Sequence, residues 1–474
     1  MPLASPLPSA PTGARRPTSV ALAVFVGLQL LGACRSYSQR TAVALADFEA
    51  GRFDAAREQF ADPKVTDSSF LCGAEAGMSA LAAGDWDQAQ SHFDDAAAAV
   101  VKYEERALLG AEAVGEELTT LLINEGVAAY PGEGYERAQL HASLALTYLA
   151  RGNLDGVYVE TRRANKLLEG DETLYEKKYA AGGFAHFMSA VSYELQRRFD
   201  EAYIDYARMA EKGVGVELAG KALVRIAKRL RYDDAVDGLI ATHGDAVVPP
   251  QDAAQVVVIA GVGLGPYKEE QTVALPAPGG IVQFSVPVFI ARPQAISALA
   301  LQVDDGAPLA TTVVENVATV ARENLADRMA WLALRSALRA GIKYGITRVG
   351  SEMARDKNNA ATGFAVLAAG ALFTAATERA DTRSWLTLPD TWQAARLFVA
   401  PGEHEISLGP VGGGLARVGR VRLGAGETVF VIARTLGSSV HTHLIGGERL
   451  DLPAAAPPPS SSPASDESTQ TVSP

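Results

Sequence analysis

An aromatic residue or leucine, then aspartate, one further residue and a small apolar residue recurs five times in the first half of the chain. The copies begin at Phe53, Trp86, Leu154, Phe199 and Tyr232, as in Phe53-Asp54-Ala55-Ala56 and Phe199-Asp200-Glu201-Ala202. Successive copies lie 33, 68, 45 and 33 residues apart. Three of these spacings are one or two multiples of a unit of about 34 residues, and the fourth leaves room for a loop. Each copy follows a helical pattern that ends in a turn. Gly84 and Gly152 stand where a helix C-terminus favours a left-handed residue. The motif aspartate then brings a carboxylate to the start of the next helix.

About 34 residues is the tetratricopeptide length, with two helices per unit. Such units cannot bury their apolar faces singly, so residues 34–245 are expected to form an all-α TPR-like solenoid of about five helix pairs. Because repeat contacts are local, residues 41–245 are expected to fold alone. A loop holding Tyr130, Pro131, Gly132 and Tyr135 interrupts the period. Its tyrosines are candidate rim contacts for a partner, and a plain solvated loop is the alternative.

Near residue 246 the helical period stops. Val247 to Asp252 reads as a linker. Gln255 to Ala260 is an almost continuous β-branched run, as in a strand buried on both faces. Alternation at 282–290 and 299–303, the turn at Asp305-Gly306, and short runs at 396–399, 418–423 and 428–434 add further strands. The fold class is therefore multidomain, with the solenoid followed over residues 253–445 by an α+β domain containing a small β-sandwich. Glycines at 261, 263 and 265 do not make a dinucleotide fingerprint, because Pro266 follows and no helix opens there. A long helix over 317–349 carries Arg328, Arg335, Arg339 and Lys343 as a basic stripe, a solvated face or an anionic contact.

The apolar run 360–376 is shorter than the roughly 20 residues a membrane helix needs, so it is expected to be a buried helix. Asp381, Arg383 and Trp385 follow it, and guanidinium forks pair with carboxylates and stack on aromatic faces. They are expected to form a junction locking that helix against the strands. Beyond 452 the Pro/Ser-rich tail, 452–474, is expected to be disordered.

Arg15 and Arg16 precede an apolar stretch from Val20 to Leu31 and then Leu31-Gly32-Ala33-Cys34. Residues 1–33 read as a lipoprotein signal peptide, with the Cys34 thiol as the lipid attachment point. Arg35 rather than aspartate follows, which points to the outer membrane and its periplasmic face. With Cys34 lipidated only Cys72 remains, so no intrachain disulfide forms. The net charge of −12 argues against a nucleic-acid partner.

No zincin helix, paired cysteines, nucleophile elbow or P-loop is present, and no cofactor is implied. His441 and His443 would face the same side of a strand and are a conceivable metal pair, with exposed edge residues as the plainer reading. His404, between two glutamates, reads as solvent-facing.

The segment 124–137, Ala145 to Leu149, Arg162-Arg163, the Arg335/Arg339/Lys343 spacing and above all Ala380-Asp381-Thr382-Arg383-Ser384-Trp385 resemble an uncharacterised family of proteobacterial outer-membrane lipoproteins with TPR-like N-terminal repeats. Pro401-Gly402-Glu403-His404 is also similar to the PEGA module of cell-surface proteins. The resemblance carries over no activity and implies a role in envelope assembly. With the lack of catalytic motifs and the lipid anchor at Cys34, the expected protein is a non-enzymatic lipoprotein whose repeats bind partner proteins of the envelope. Regulation of peptidoglycan synthesis is one alternative. A metal-dependent envelope hydrolase is the other, and it requires His441 and His443 beside a carboxylate.

Overall fold

Residues 36–113, 130–277, 280–329 and 380–451 are described by a computed structural model of the chain. Cys34, Arg335, Arg339, Lys343, the run 360–376 and the tail lie outside these residues.

Among the described residues, five helical hairpins succeed one another. Single turns α1 (Tyr37–Arg40) and α4 (Pro63–Thr66) flank the first, α2 (Ala42–Glu49) with α3 (Phe53–Phe60). Then come α5 (Ser69–Ala83) with α6 (Trp86–Ala113), and α7 (Gly134–Ala150) with α8 (Leu154–Tyr175). The last two are α9 (Gly183–Leu195) with α10 (Phe199–Glu211), and α11 (Val216–Leu230) with α12 (Asp233–His243). Neighbouring helices pack against one another, giving a TPR-like helical region.

The repeated motif opens the second helix of each pair. Its aspartate falls in the first turn of α3, α6, α8, α10 and α12. Two residues before each of these helices the backbone turns left-handed, at Gly51, Gly84, Gly152, Arg197 and Arg231, with φ from +60° to +79°. The last copy is displaced by one: Tyr232 is the N-cap and Asp233 takes the position that Phe53 holds in α3. The aromatic residue alone aligns Tyr232 with Phe53, but the turn geometry sets the register.

From Ala254 the chain forms strands. One sheet has the order β11-β10-β1-β7-β6, from β1 (Ala254–Val262), β6 (Thr312–Asn316), β7 (Thr391–Val399), β10 (Thr428–Leu436) and β11 (Ser439–Ile445). Within it β1 and β10 run parallel and the other pairs antiparallel. A second sheet has the order β12-β9-β8-β4-β5, from β4 (Leu299–Val303), β5 (Leu309–Ala310), β8 (Gly402–Pro410), β9 (Ala416–Leu423) and β12 (Glu448–Arg449). Strands β2 (Tyr267–Ala277) and β3 (Gly280–Ile290) pair as a separate ribbon. The strand expected at 396–399 begins five residues earlier, because Trp392 and Ala394 have a helical layer to pack against.

Every residue of β1 is buried, and its alternation explains why. Val256, Val258, Ala260 and Val262 point to the second sheet and join Leu301, Ile406, Val421 and Val431 in one core. Val257 and Ile259 point the other way, into a core shared with the helices that includes Phe70, Phe93, Phe184, Trp385 and Trp392. The architecture is thus three layers: helical hairpins, mixed sheet, antiparallel sheet. Helices α5, α7 and α9 are buried over most of their lengths, whereas α3, α8, α10 and α12 bury at most one stripe. The first helices line the face covered by the sheet, and the second helices form the outer layer.

Candidate site at the junction of helices and sheet

The residues singled out at 130–135, at Arg328 and at 381–385 converge on one place. Helix α7 begins there with Glu133 and Glu136, acids placed where the helix dipole favours them. Glu133 joins Lys268 of β2, and its other oxygen accepts from Arg328 Nη1 at 2.6 Å. Burial pushes the Glu133 carboxyl up, but Lys268 and Arg328 outweigh it and hold it down at about 2. Gly132, at φ +81°, precedes the helix, and a Cβ there would lie 2.6 Å from the Phe70 ring. Only glycine fits both the turn and the contact.

Glu136 is fully buried and accepts from Tyr130 Oη (2.6 Å), Tyr135 Oη (3.2 Å), the Glu133 amide (2.9 Å) and the Trp385 amide (2.8 Å). Burial raises its carboxyl above the ordinary range. Tyr130 and Tyr135 are therefore not rim contacts: they are 6% and 4% exposed, and their hydroxyls serve an internal carboxylate. An amphipathic ring with a buried partner packs inward. Arg328 ties the helical stretch 317–329 to Glu133 rather than presenting a free stripe; Arg335, Arg339 and Lys343 fall outside the described residues.

Asp381 and Arg383 form a two-pronged pair, Arg383 Nε to Asp381 Oδ1 at 2.9 Å and Nη2 to Oδ2 at 2.7 Å. The guanidinium lies 5.1 Å from the centroid of the Tyr130 ring, not over the indole. Trp385 is held instead by Glu136 through its amide and by Thr387 through Nε1 at 3.0 Å, with Phe70 and Phe93 against its ring. The junction thus joins helices to sheet, and the run 360–376 that it was expected to lock lies outside the described residues.

Sequence reasoning missed the larger part of this grip. Glu75 of α5 is completely buried and accepts from the amides of Leu386 (2.7 Å) and Thr387 (3.0 Å), from Thr387 Oγ1 (2.6 Å) and from Tyr37 Oη (3.0 Å). Burial pushes its carboxyl up to about 7 despite four donors. Guanidiniums take the carbonyls of the same segment: Arg292 donates to Leu386 O at 3.0 Å and Arg434 to Thr387 O at 3.1 Å. Arg434 is 3% exposed and also donates to the carbonyls of Gly261 and Gly263, so the glycine run that failed as a nucleotide motif is a guanidinium cradle. Residues 385–387 therefore enter a turn against the helical layer, a short segment bound by charged groups at both its amides and its carbonyls. A buried acid within the helical pattern at Glu75 was the available signal, since buried carboxylates demand partners.

Two further buried acids join the layers. Glu194 of α9 grips Arg225 of α11 and Arg396 of β7, with Tyr206 Oη at 2.9 Å. Glu315 of β6 accepts the amides of Gly182 and Phe184, both at 3.1 Å, at the start of α9, and burial pushes it up to about 7. Gln139 of α7 accepts from the Trp392 indole at 2.9 Å.

His441 and His443 face helix turns rather than a carboxylate. A Cβ on Gly51 would lie 2.7 Å from the His441 ring and one on Gly84 2.5 Å from the His443 ring. His441 meets the Phe53 ring at 4.9 Å, and His443 Nε2 lies 2.9 Å from Ala82 O. One histidine of β11 sits on each of two successive motif turns, so the hydrolase reading loses the carboxylate it required. Among the described residues no three His, Cys, Asp or Glu side chains gather as a metal cage needs. His404 does not face solvent freely: it lies between Asp304 Oδ2 and Ala400 O, each 2.8 Å away.

No family model matches the sequence, and no curated protein does. Among solved structures, the crystal structure of the APC/C hetero-tetramer Cut9-Hcn1 matches at 13% identity and a TM-score of 0.22. The match covers 46% of this chain and 41% of that one, and at such a score it carries no argument. No helix among the described residues is long and apolar enough to cross a membrane.

Proposed function

We propose that this chain is a non-enzymatic lipoprotein, anchored through Cys34 on the periplasmic side of the outer membrane, whose helical repeats bind partner proteins in envelope assembly. The observation that carries the reading is the sealing of the inner helical face by the chain's own sheet and by residues 385–387. That leaves the second helices of the hairpins as the partner surface. Exposed apolar side chains recur there, Val101 on α6, Val159 on α8 and Ile204 on α10, each between 44% and 55% exposed. Helical repeats present such extended surfaces to other proteins. The buried acids Glu75, Glu133 and Glu136 are committed to partners within the chain, which suits a framework better than a reaction.

Photo-crosslinking from Val159 and Ile204 in intact envelopes tests it. Discrete protein adducts are expected from both positions and none from Arg417 on the second sheet. Adducts from neither outer helix would overturn the reading.

A further inference from the structure

A cleft of about 310 Å³ opens where α9, α10 and α11 meet the approach to β1 and strand β7. Four arginines line it, Arg197, Arg225, Arg229 and Arg396, against one carboxylate, Glu194. In a chain of net charge −12 this concentration is local and does not follow from composition. Glu194 is already committed. Arg225 donates to its two oxygens at 2.7 and 2.9 Å, and Arg396 at 2.5 and 3.0 Å. These two guanidiniums and their shared carboxylate form a rigid, cationic floor.

The other two arginines are differently placed. Arg229 lies half-buried 4.7 Å over the Phe199 ring, and Arg197 is exposed at the mouth beside the turn at Gly426. Among the described residues no carboxylate lies within ion-pair distance of either. Arg197 also holds φ +60° at a turn position that is glycine in the first three hairpins. Pro249, Pro250 and Phe398 supply an apolar wall.

We propose that this cleft binds a small phosphate-bearing anion, with Arg197 and Arg229 taking its oxygens. Guanidinium forks match phosphate oxygens in pairs. A doubly charged group answers two unmatched cations over a cationic floor better than a carboxylate does. The volume is at the small end for ligand sites, which selects a compact molecule. Arg197 and Arg229 belong neither to the layer-joining ion pairs nor to the exposed apolar side chains of the outer helices, so the site stands or falls separately from the function proposed above.

Titration calorimetry on the full chain in detergent tests it, with inorganic phosphate and glycerol 3-phosphate as probes and succinate as the carboxylate control. Saturable one-to-one binding of a phosphate probe is expected, at least about tenfold tighter than succinate. Arg197→Gly suits the turn's backbone, and Arg229→Gln removes a cation with no ion pair, so neither should unfold the chain. Each is expected to weaken phosphate binding about tenfold with an unchanged melting temperature. Phosphatidic acid vesicles separate a lipid headgroup from a free phosphate ester, and binding to either source supports the site. No binding of any phosphate probe at about 10 mM, equal affinity for succinate, or variants that bind like the parent would each overturn it.

Discussion

Glu75 and Thr387 lie 312 residues apart in sequence and share two hydrogen bonds, at 3.0 Å from the threonine amide and 2.6 Å from its hydroxyl. The carboxylate belongs to the second helical hairpin and the threonine to the segment entering β7. Neither has a local reason for its position. Together they fasten the sheet to the helices.

Removing that carboxylate leaves two amides, a hydroxyl and a phenol buried without an acceptor. Glu75→Ala is expected to destabilise the chain by about 3 kcal/mol or more, and Glu75→Gln by less, because one carbonyl oxygen remains. Urea unfolding of the two variants checks the order. A Glu75→Ala midpoint equal to the parent's would refute the grip.

Stability should depend on pH in two opposite ways. Glu75 and Glu315 are raised by burial from 4.5 to about 7, so between those values the folded chain binds more protons than the unfolded one. Their contribution is present below the unfolded value and is lost as pH rises through the folded one. Glu133 and Glu194 are also buried, but their cations outweigh burial and hold both below 4.5. Their contribution is intact above 4.5 and is lost on acidification. Stability is therefore expected to peak near about pH 5 and fall towards pH 8, with Glu75→Gln flattening the fall. Equal denaturant midpoints at the two pH values would contradict this.

Asp381→Ala removes a partner from an arginine whose side chain is only 11% exposed. A loss of about 2 kcal/mol is expected, between the cost at a surface pair and at a fully buried one. Asp381→Asn, which keeps one acceptor oxygen for the guanidinium, should lose less than Asp381→Ala. Thermal unfolding of both decides; a melting point indifferent to Asp381→Ala would make the pair decorative.

Residues 41–245 expressed alone should keep a helical circular dichroism spectrum, because each hairpin contacts its neighbours. Without the sheet, however, Glu75, Glu136 and Gln139 lose partners and the apolar inner face is bare. A melting point well below that of the full chain and binding of a hydrophobic dye are expected. A strand-dominated spectrum, or a melting point equal to the full chain's, would be the contrary result.

Cys34→Ser is expected to move the protein from the membrane fraction to the soluble one, since a diacylated cysteine holds far more firmly than a single chain. Continued sedimentation with membranes after a high-salt wash would exclude the anchor.

The sequence by itself determined the helical hairpins, since the spacing of Phe53, Trp86, Leu154 and Phe199 and the turn glycines depend only on neighbouring residues. It also determined β1, whose unbroken apolar run demands cover on both faces. Only the tertiary structure decided what that cover is. Tyr130 and Tyr135 looked like rim residues because nothing near them in sequence shows that Glu136 would turn inward to meet Trp385. His441 and His443 resembled a metal pair because the turns at Gly51 and Gly84 that they fill lie hundreds of residues away. The Asp381–Arg383 pair was legible because its partners are two residues apart. The acids Glu75, Glu194 and Glu315 were not, because a buried carboxylate states only that a donor must exist, and long-range packing chooses which one.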